Sequence, residues 1–402
     1  MMGEDSPIDT QDSRPHGVVA QLGVALAAFG LVIAMVSTIA RASATPSITL
    51  APVDIGFPNP IDIGYDKPFN SLVVSVNYRR GEPRNFALLH AKGKFTPFGS
   101  THGLTDEVYI AAIRPSLCQK GFVTGDLYFG TGRPGVVARL SDNGAKFTDP
   151  WVRLPNEQGL LRGGIQQDLA CVAGGDLIVT TTRGNVWRVS AAGAAKRVAH
   201  IGPVRKQLAS LEGVTTVPNN PARYGPWAGQ ILAAGEQVGV LFSIDPSTGK
   251  VGRSDVQGGA KFPGAESVVI VPPNQNFFGV NFGAGKLEGA SVAQFAELVG
   301  DVLVATEVQG RLIDVRWNGT SFVEADLLAH DVGRWEGVGF APVGLPGLPA
   351  PAPTPTSQVL AIPSTGSATV GQGIPWPLVI FIPGFVAVAL AVRAVGRKPQ
   401  TP

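Results

Sequence analysis

Between about residue 60 and residue 343 the chain alternates short apolar runs with turns rich in Gly, Asn and Asp, and this alternation recurs as one phrase. A Gly-containing lead-in precedes an apolar strand, a few turn residues and a second apolar strand. The phrase reads GDLYFGTGRPGVVARLSDNG (125–144), GDLIVTTTRGNVWRVSAAG (175–193), GQILAAGEQVGVLFSIDPSTG (229–249) and GDVLVATEVQGRLIDVRWNG (300–319). A looser copy is NSLVVSVNYRRGEPRNFALLHAKG (70–93), and NFFGVNFGAGKLEGAS (276–291) is a degraded one. Strand pairs recurring at about 50 residues predict the blades of an all-β propeller.

A second element sits upstream of most of these hairpins: an acidic residue, then a short apolar strand that often ends in Pro. Its clear copies are LEGVTTVPNN (211–220), AESVVIVPPN (265–274) and WEGVGFAPVG (335–344). Weaker ones are IDIGYDKP (61–68), DEVYIAAIRP (106–115) and QDLACVAGGD (167–176). The first strand of a propeller blade lines the central channel, so an acid at its start points to the channel mouth. Asp62, Glu107, Asp168, Glu212, Glu266 and Glu336 are the resulting candidates.

Six copies of each element predict six blades. The spacing is irregular at one place, because the hairpin at Asn276 starts much less than one period before the hairpin at Gly300, and the strand at Glu336 follows the last hairpin. Either the C-terminal strand joins N-terminal residues in a ring-closing blade, or the hairpin at Asn276 is an insertion. Seven blades remain open.

Composition narrows the class. Charged residues make up 15% of the chain, against roughly 25% in ordinary soluble domains. With 51 Gly and 33 Pro the sequence has the turn formers that closely spaced strands need. The formal charge is +2 with no concentrated basic footprint, which argues against a nucleic-acid partner.

The two ends address the compartment. Residues 18–39 form a long apolar run followed by Ala42-Ser43-Ala44, a small-x-small cleavage pattern, so residues 1–44 are expected to be a signal peptide or an N-terminal membrane anchor. Residues 374–392 are apolar apart from their prolines and long enough for a transmembrane helix, and Arg393, Arg397 and Lys398 follow, so residues 374–402 are expected to anchor the chain in a membrane with a basic cytoplasmic tail. Residues 344–373 are a Pro-rich stalk, which leaves residues 45–343 as an extracytoplasmic propeller.

Within the stalk, IPSTG (362–366) resembles the LPxTG sorting signal of Gram-positive surface proteins, with Ile at its first position. The resemblance implies cleavage between Thr365 and Gly366 and attachment to the cell wall; a plain transmembrane anchor is the alternative. Cys118 and Cys171 are the only cysteines, and in an oxidising compartment the even count favours one disulfide over two buried thiols.

Several carboxylates at one end of a narrow channel repel each other and call for protons or a cation, and Ca²⁺ takes six to eight oxygens from carboxylates, carbonyls and water. The alternative is that each acid caps backbone N–H groups or stands hydrated at a strand start. The Glu-Gly openings at Glu212-Gly213 and Glu336-Gly337 resemble the first-strand Glu of the gluconolactonase and regucalcin propellers. That resemblance implies a divalent metal that activates lactone hydrolysis, although Val follows each Gly where the family has Pro. The texture of the blades and YGPWAG (224–229) resemble the quinone-dependent sugar dehydrogenase propellers, which use a catalytic His; the body offers His90, His102, His200 and His330. No nucleophile elbow, phosphate loop, HExxH or EF-hand motif occurs.

GAESVVIVPPN (264–274), FFGVNFGAGKLEGASVAQFAELVGDVLVATE (277–307) and RWEGVGFAPVG (334–344) give the chain an architecture similar to bacterial secreted propellers with a C-terminal anchor. The sequence therefore leans towards a surface-displayed module that binds a protein or glycan, with room for a structural Ca²⁺ in the channel. A metal-dependent lactonase or esterase at the channel mouth is the alternative, and a sugar dehydrogenase is a weaker one.

Overall fold

The computed structural model describes residues 47–345, apart from 57–58, 77–83, 91–93, 100, 102–103, 105–106 and 329–332. The expected signal segment, the stalk with Thr365 and Gly366, and the C-terminal apolar segment all lie outside the described residues. Among the described residues no helix is long and apolar enough to cross a membrane.

The first described strand is β1 (Ala51–Ile55). Blade 1 follows as β2 (Ile63–Asp66), β3 (Ser71–Ser75), β4 (Phe86–His90) and β5 (Lys94–Phe98). Blade 2 is β6 (Ile110–Ala112), β7 (Leu127–Gly130), β8 (Val136–Ser141) and β9 (Lys146–Arg153), and blade 3 is β10 (Ile165–Gln167), β11 (Leu177–Thr180), β12 (Asn185–Val189) and β13 (Ala195–His200). Blade 4 is β14 (Leu211–Thr216), β15 (Ile231–Gly235), β16 (Val240–Ile244) and β17 (Val251–Arg253). Each blade is an antiparallel four-stranded sheet in sequential order.

The last two blades are interleaved. After β18 (Ala265–Ile270) the chain makes the hairpin β19 (Gln275–Asn281) and β20 (Lys286–Ala290), and only then β21 (Val302–Thr306), β22 (Leu312–Trp317), β23 (Phe322–Asp326) and β24 (Trp335–Pro342). Blade 5 is ordered β18-β21-β22-β23 and blade 6 is ordered β1-β20-β19-β24. Both accounts of the irregular spacing are therefore true at once. The hairpin at Asn276 is an insertion between two strands of blade 5, and it supplies the middle of the ring-closing blade that unites β24 with the N-terminal β1. The inner strands touch in a closed circle, β2, β6, β10, β14, β18, β24 and back to β2, so there are six blades and not seven.

The hairpin repeat marks the second and third strand of every blade. Most of these strands are buried on both faces, and every residue of β15 and of β16 is buried. The reason is that each blade packs a neighbour on either side. One apolar seam fills each junction: Leu72, Val74 and Phe278 join blades 1 and 6, Tyr128 and Trp187 join blades 2 and 3, and Leu241 and Ile313 join blades 4 and 5.

Cys118 and Cys171 form a disulfide with a Cα–Cα distance of 5.5 Å. It ties the loop after β6 to the loop after β10, across the seam between blades 2 and 3. Cys171 has φ 61°, a left-handed conformation that a non-glycine residue adopts at a cost of about 1 kcal/mol. Asp168 holds that loop in place: its carboxylate accepts from the amides of Val172 (3.2 Å), Ala173 (2.7 Å) and Gly175 (3.0 Å).

The bridge closes 53 residues of sequence, and in the chain-entropy account this stabilises the fold by about 4 kcal/mol. The Cys118→Ala/Cys171→Ala protein is expected to lose up to about 4 kcal/mol in urea denaturation with an unchanged far-UV spectrum. An unchanged midpoint would mean that the seam alone fixes these loops.

Candidate functional site

The start of each inner strand opens on one end of the channel, in a cavity of about 580 Å³. In blades 4, 5 and 6 the second residue of the inner strand is a glutamate: Glu212 on β14, Glu266 on β18 and Glu336 on β24. The ladder slips at each of them, between Glu212 and Val214, between Ala265 and Ser267, and opposite Glu336 between Gly279 and Asn281. A bulge at a strand start re-aims the side chain there, which turns the glutamates toward the axis.

The glycine after two of these glutamates has a packing cause. A Cβ on Gly213, whose φ is +26°, would lie 2.5 Å from the Glu266 carbonyl oxygen, and one on Gly337 would lie 1.8 Å from Asp62 Oδ1. Glu-Gly is thus what an acid at the mouth requires when the next inner strand passes this close. Ser267 fills the equivalent place on β18, where its hydroxyl accepts from the Val338 amide at 3.3 Å.

Four of the six acids expected at the mouth are brought together there: Glu107, Glu212, Glu266 and Glu336. Glu107, just before β6, faces the Arg162 guanidinium at 3.8 Å. Asp62 stands one layer deeper, between blades 1, 2 and 6, where its carboxylate accepts from the Ile110 amide at 2.7 Å. Asp168 is not at the mouth. It follows β10 rather than leading it, so it lies at the opposite end of its strand and serves the Cys171 loop. Arg162 represents blade 3 at the mouth instead.

Two further glutamates were missed by reading strands alone. Glu236 directly follows β15 and Glu307 directly follows β21, so the second strand of blades 4 and 5 delivers a turn residue back to the mouth. The signal was available in the repeat: the residue after the second strand is Val76, Thr131, Thr181, Glu236, Glu307 and Phe282 around the ring, blades 1 to 6 in turn. Only two adjacent blades place an acid there.

The mouth thus gathers six carboxylates against the guanidinium groups of Arg162 and Arg334, the latter 3.5 Å from Glu307. Glu212, Glu236 and Glu266 each bring an oxygen within 4.8 Å of the others. Two ionised carboxylates at that separation repel by roughly 3 kcal/mol at an effective dielectric of about 20. Three such pairs approach 10 kcal/mol, roughly the stability of a whole domain, so protons or a cation must neutralise them.

Burial acts in the same direction. Desolvation, with Glu236 and Glu107 nearby, pushes Glu212 up to about 8 against the opposing effect of its hydrogen bonds. Desolvation also raises Glu266 and Glu336 well above the usual carboxylate range, helped for Glu266 by Glu212 and Glu336 and for Glu336 by Glu107 and Glu307. Glu236 is raised too, mainly by burial. Asp62 is pushed by burial up to about 7 despite its backbone hydrogen bonds.

The buried Tyr109 closes the floor of the mouth, its hydroxyl 2.9 Å from Glu266 Oε1 and 3.3 Å from Glu336 Oε2. One O–H serves one carboxylate, so the other must bring its own proton to complete the pair. Glu266 Oε2 is buried with no N–H or hydroxyl donor at it, and Glu212 and Glu266 share a carboxyl–carboxylate hydrogen bond. Of the histidines, His200 lies on the outer strand β13 against Asn185 at 2.9 Å, far from the inner strands. His102 and His330, and the side chain of His90, lie outside the described residues.

No protein-family model matches the sequence, and no curated protein matches it. Solved structures do match in fold. A streptogramin B lyase is 15% identical, with 76% of this chain and 97% of that one covered at a TM-score of 0.43. A glucose dehydrogenase is 14% identical over 72% and 92%, with a TM-score of 0.45. An auxiliary nutrient-binding protein from Bacteroides thetaiotaomicron is 13% identical over 59% and 60%, with a TM-score of 0.40. At such identities nothing about activity follows.

A pH dependence follows from the raised acids. Without divalent cation, folded Glu212 and Asp62 keep their protons to about 8 and about 7, whereas in the unfolded chain they ionise near 4.5 and 3.8. The unfolded state binds fewer protons across this window, so stability should fall as pH rises from the ordinary carboxylate range through about 8. Urea denaturation in chelator at a series of pH values measures the slope, and Glu212→Gln should flatten it. A rising slope would show that these acids are ionised in the folded protein.

Proposed function

We propose that the chain is an exported, surface-anchored propeller that binds a protein or glycan ligand through a divalent cation, Ca²⁺ in the first place, held at the channel mouth by Glu212, Glu236 and Glu266. The observation that carries this reading is a set of three carboxylates within 4.8 Å of one another, with Glu266 Oε2 buried and met by no N–H or hydroxyl donor. An all-oxygen, carboxylate-rich donor set suits a hard cation such as Ca²⁺. Three carboxylates leave room for further oxygens, and the open mouth gives ligand hydroxyl or carbonyl groups access to them. The disulfide supports an oxidising compartment, and the apolar segments at 18–39 and 374–392 with the sorting-like IPSTG support display at the cell surface.

Calorimetric titration of the chelator-treated full-length chain with Ca²⁺ is expected to show one site and a raised Tm. Glu266→Gln should remove that response while raising the Tm of the cation-free protein, because the folded state no longer has to keep a buried acid protonated that ionises on unfolding; a merely misfolded variant would not do both. The reading fails if neither chelation nor Ca²⁺ moves the wild-type Tm.

A second reading, metal-assisted hydrolysis of a lactone or ester, is favoured by the Tyr109 hydroxyl standing between Glu266 and Glu336 beside the carboxylate set. Glu336, held protonated by burial, is then the proton donor to the leaving oxygen. Simple lactones and aryl esters assayed with Ca²⁺, Mg²⁺, Mn²⁺ and Zn²⁺ decide it. Turnover that Glu336→Gln lowers by at least about 100-fold, with cation binding intact, supports hydrolysis, and no turnover with any metal leaves the binding module alone.

A further inference from the structure

We propose that the other half of the channel binds a small organic anion, a carboxylate with an apolar body and a hydroxyl or N–H donor, held by Arg114 and Gln275. A cavity of about 550 Å³ opens there, the size of metabolite sites. Its wall is built largely from the inner strands, with Val214, Val268, Val338 and Phe340 among its apolar groups.

Arg114 lies just beyond β6 and lines this cavity. Its backbone is clamped to blade 3 by one side chain: the Arg114 amide donates to Gln167 Oε1 at 2.9 Å, and Gln167 Nε2 donates to the Arg114 carbonyl at 3.0 Å. The amide of Gln167 is thereby spent on the main chain, and the guanidinium is left for something else. Among the described residues no carboxylate stands within ion-pair distance of it. Its neighbour is the Tyr65 ring, with the guanidinium carbon 6.0 Å from the ring centre, and the Tyr65 hydroxyl is itself tied to Asn70 at 2.9 Å. Burial works against the charge of Arg114, with only Tyr65 opposing that effect. The side chain is half-buried and a guanidinium cannot give up its proton to escape, so an anion is the compensation this site favours.

The second observation is independent of the first. Gln275, at the start of β19, lines the same cavity, and its Oε1 is buried without a hydrogen-bond partner. An unpaired buried acceptor wants a donor, which a hydroxyl or N–H on the ligand supplies. One cation and one unpaired acceptor, set in walls that are apolar for the larger part, together specify the ligand class. The distribution of charged groups agrees: the glutamates gather at the opposite mouth, while Arg114 is the cation lining this cavity, and Asp62, the acid that also lines it, has its carboxylate engaged by the Ile110 amide.

The test is calorimetric and thermal-shift titration of the full-length chain with 2-hydroxycarboxylates from lactate to 3-phenyllactate, each beside its neutral diol. The larger, more apolar acids are expected to bind and raise the Tm, and the diols are not. Arg114→Gln should weaken binding by at least about tenfold and Arg114→Lys by less, since a charged bidentate contact is lost entirely in the first and only reshaped in the second. Gln275→Leu should weaken the hydroxy acids while leaving the matching deoxy acids unchanged. Binding should persist in chelator and in Glu266→Gln, which separates its fate from that of the cation site. No binding by any acid at millimolar concentration, equal binding of the diols, or an unaffected Arg114→Gln protein would each overturn the proposal.

Discussion

Every blade here has two apolar faces, and each face can be buried only against another blade. A sheet of four short strands leaves both sides in water unless the row of sheets closes on itself, so ring closure is the condition on which the remaining structure depends. Closure is unusually secure because blade 6 is assembled from three parts of the chain: β1, the β19–β20 hairpin and β24. Opening the ring requires separating strands far apart in sequence, and the hairpin cannot leave blade 6 without disturbing blade 5, which holds both its ends. The channel is a consequence of this closure. Six inner strands packed side by side leave an axis that their own side chains must fill.

How the axis is filled depends on which residues the close approach of inner strands permits. Where the next strand passes within van der Waals distance the side chain must shrink to Gly, as at Gly213 and Gly337, and the preceding residue is swung toward the axis by the bulge. Glutamates at those positions are then both buried and close together, which is unfavourable twice over. Hydration is lost, and the repulsion is felt at a lower dielectric than in water. Hydrogen bonds recover only part of this: Tyr109 and Ser210 offer one hydroxyl each, the latter 3.2 Å from Glu212 Oε1, and the bonds Glu212 makes with Glu266 and Glu236 each need a proton on one carboxyl. A fold indifferent to these residues would be more stable with glutamine in their place. That imbalance, rather than the mere number of acids, is why a functional explanation is needed.

The sequence revealed most of the fold because the blade is a local unit. Most strands of the hairpins are buried on both faces and so read as continuous apolar runs, and Gly marks their turns. The spacing failed only at 276 and 300, where one blade interrupts another; a period measured along the chain cannot show that. The acid-led strands were legible for the same reason, yet the pattern of an acid beside apolar residues does not distinguish a strand's start from its end. Asp168 was misplaced on that account: β10 lies before it, and the apolar residues after it belong to a loop held by its own carboxylate and the disulfide. Glu236 and Glu307 stand in turns, where the sequence pattern signals only a change of direction. The register that returns them to the mouth is a property of strand pairing, and the repeat carries it only when the residue after each second strand is compared.

The six-fold repeat also makes its departures informative. An even ring would distribute charge evenly, but Glu212, Glu236, Glu266, Glu307 and Glu336 all come from blades 4 to 6, while blades 1 to 3 contribute Glu107, Arg162 and, one layer down, Asp62 and Tyr109. The channel is therefore polarised across its mouth as well as along its axis. Such asymmetry does not follow from closing the ring, which any apolar or small residue at these positions would allow. It is concentrated where the interleaved blades fix the inner strands most firmly, β18 by the hairpin that leaves its end and β24 by the β19 strand it pairs with. Carboxylates that repel one another stay close only if the backbone beneath them cannot move apart, and the interlock of blades 5 and 6 supplies that rigidity.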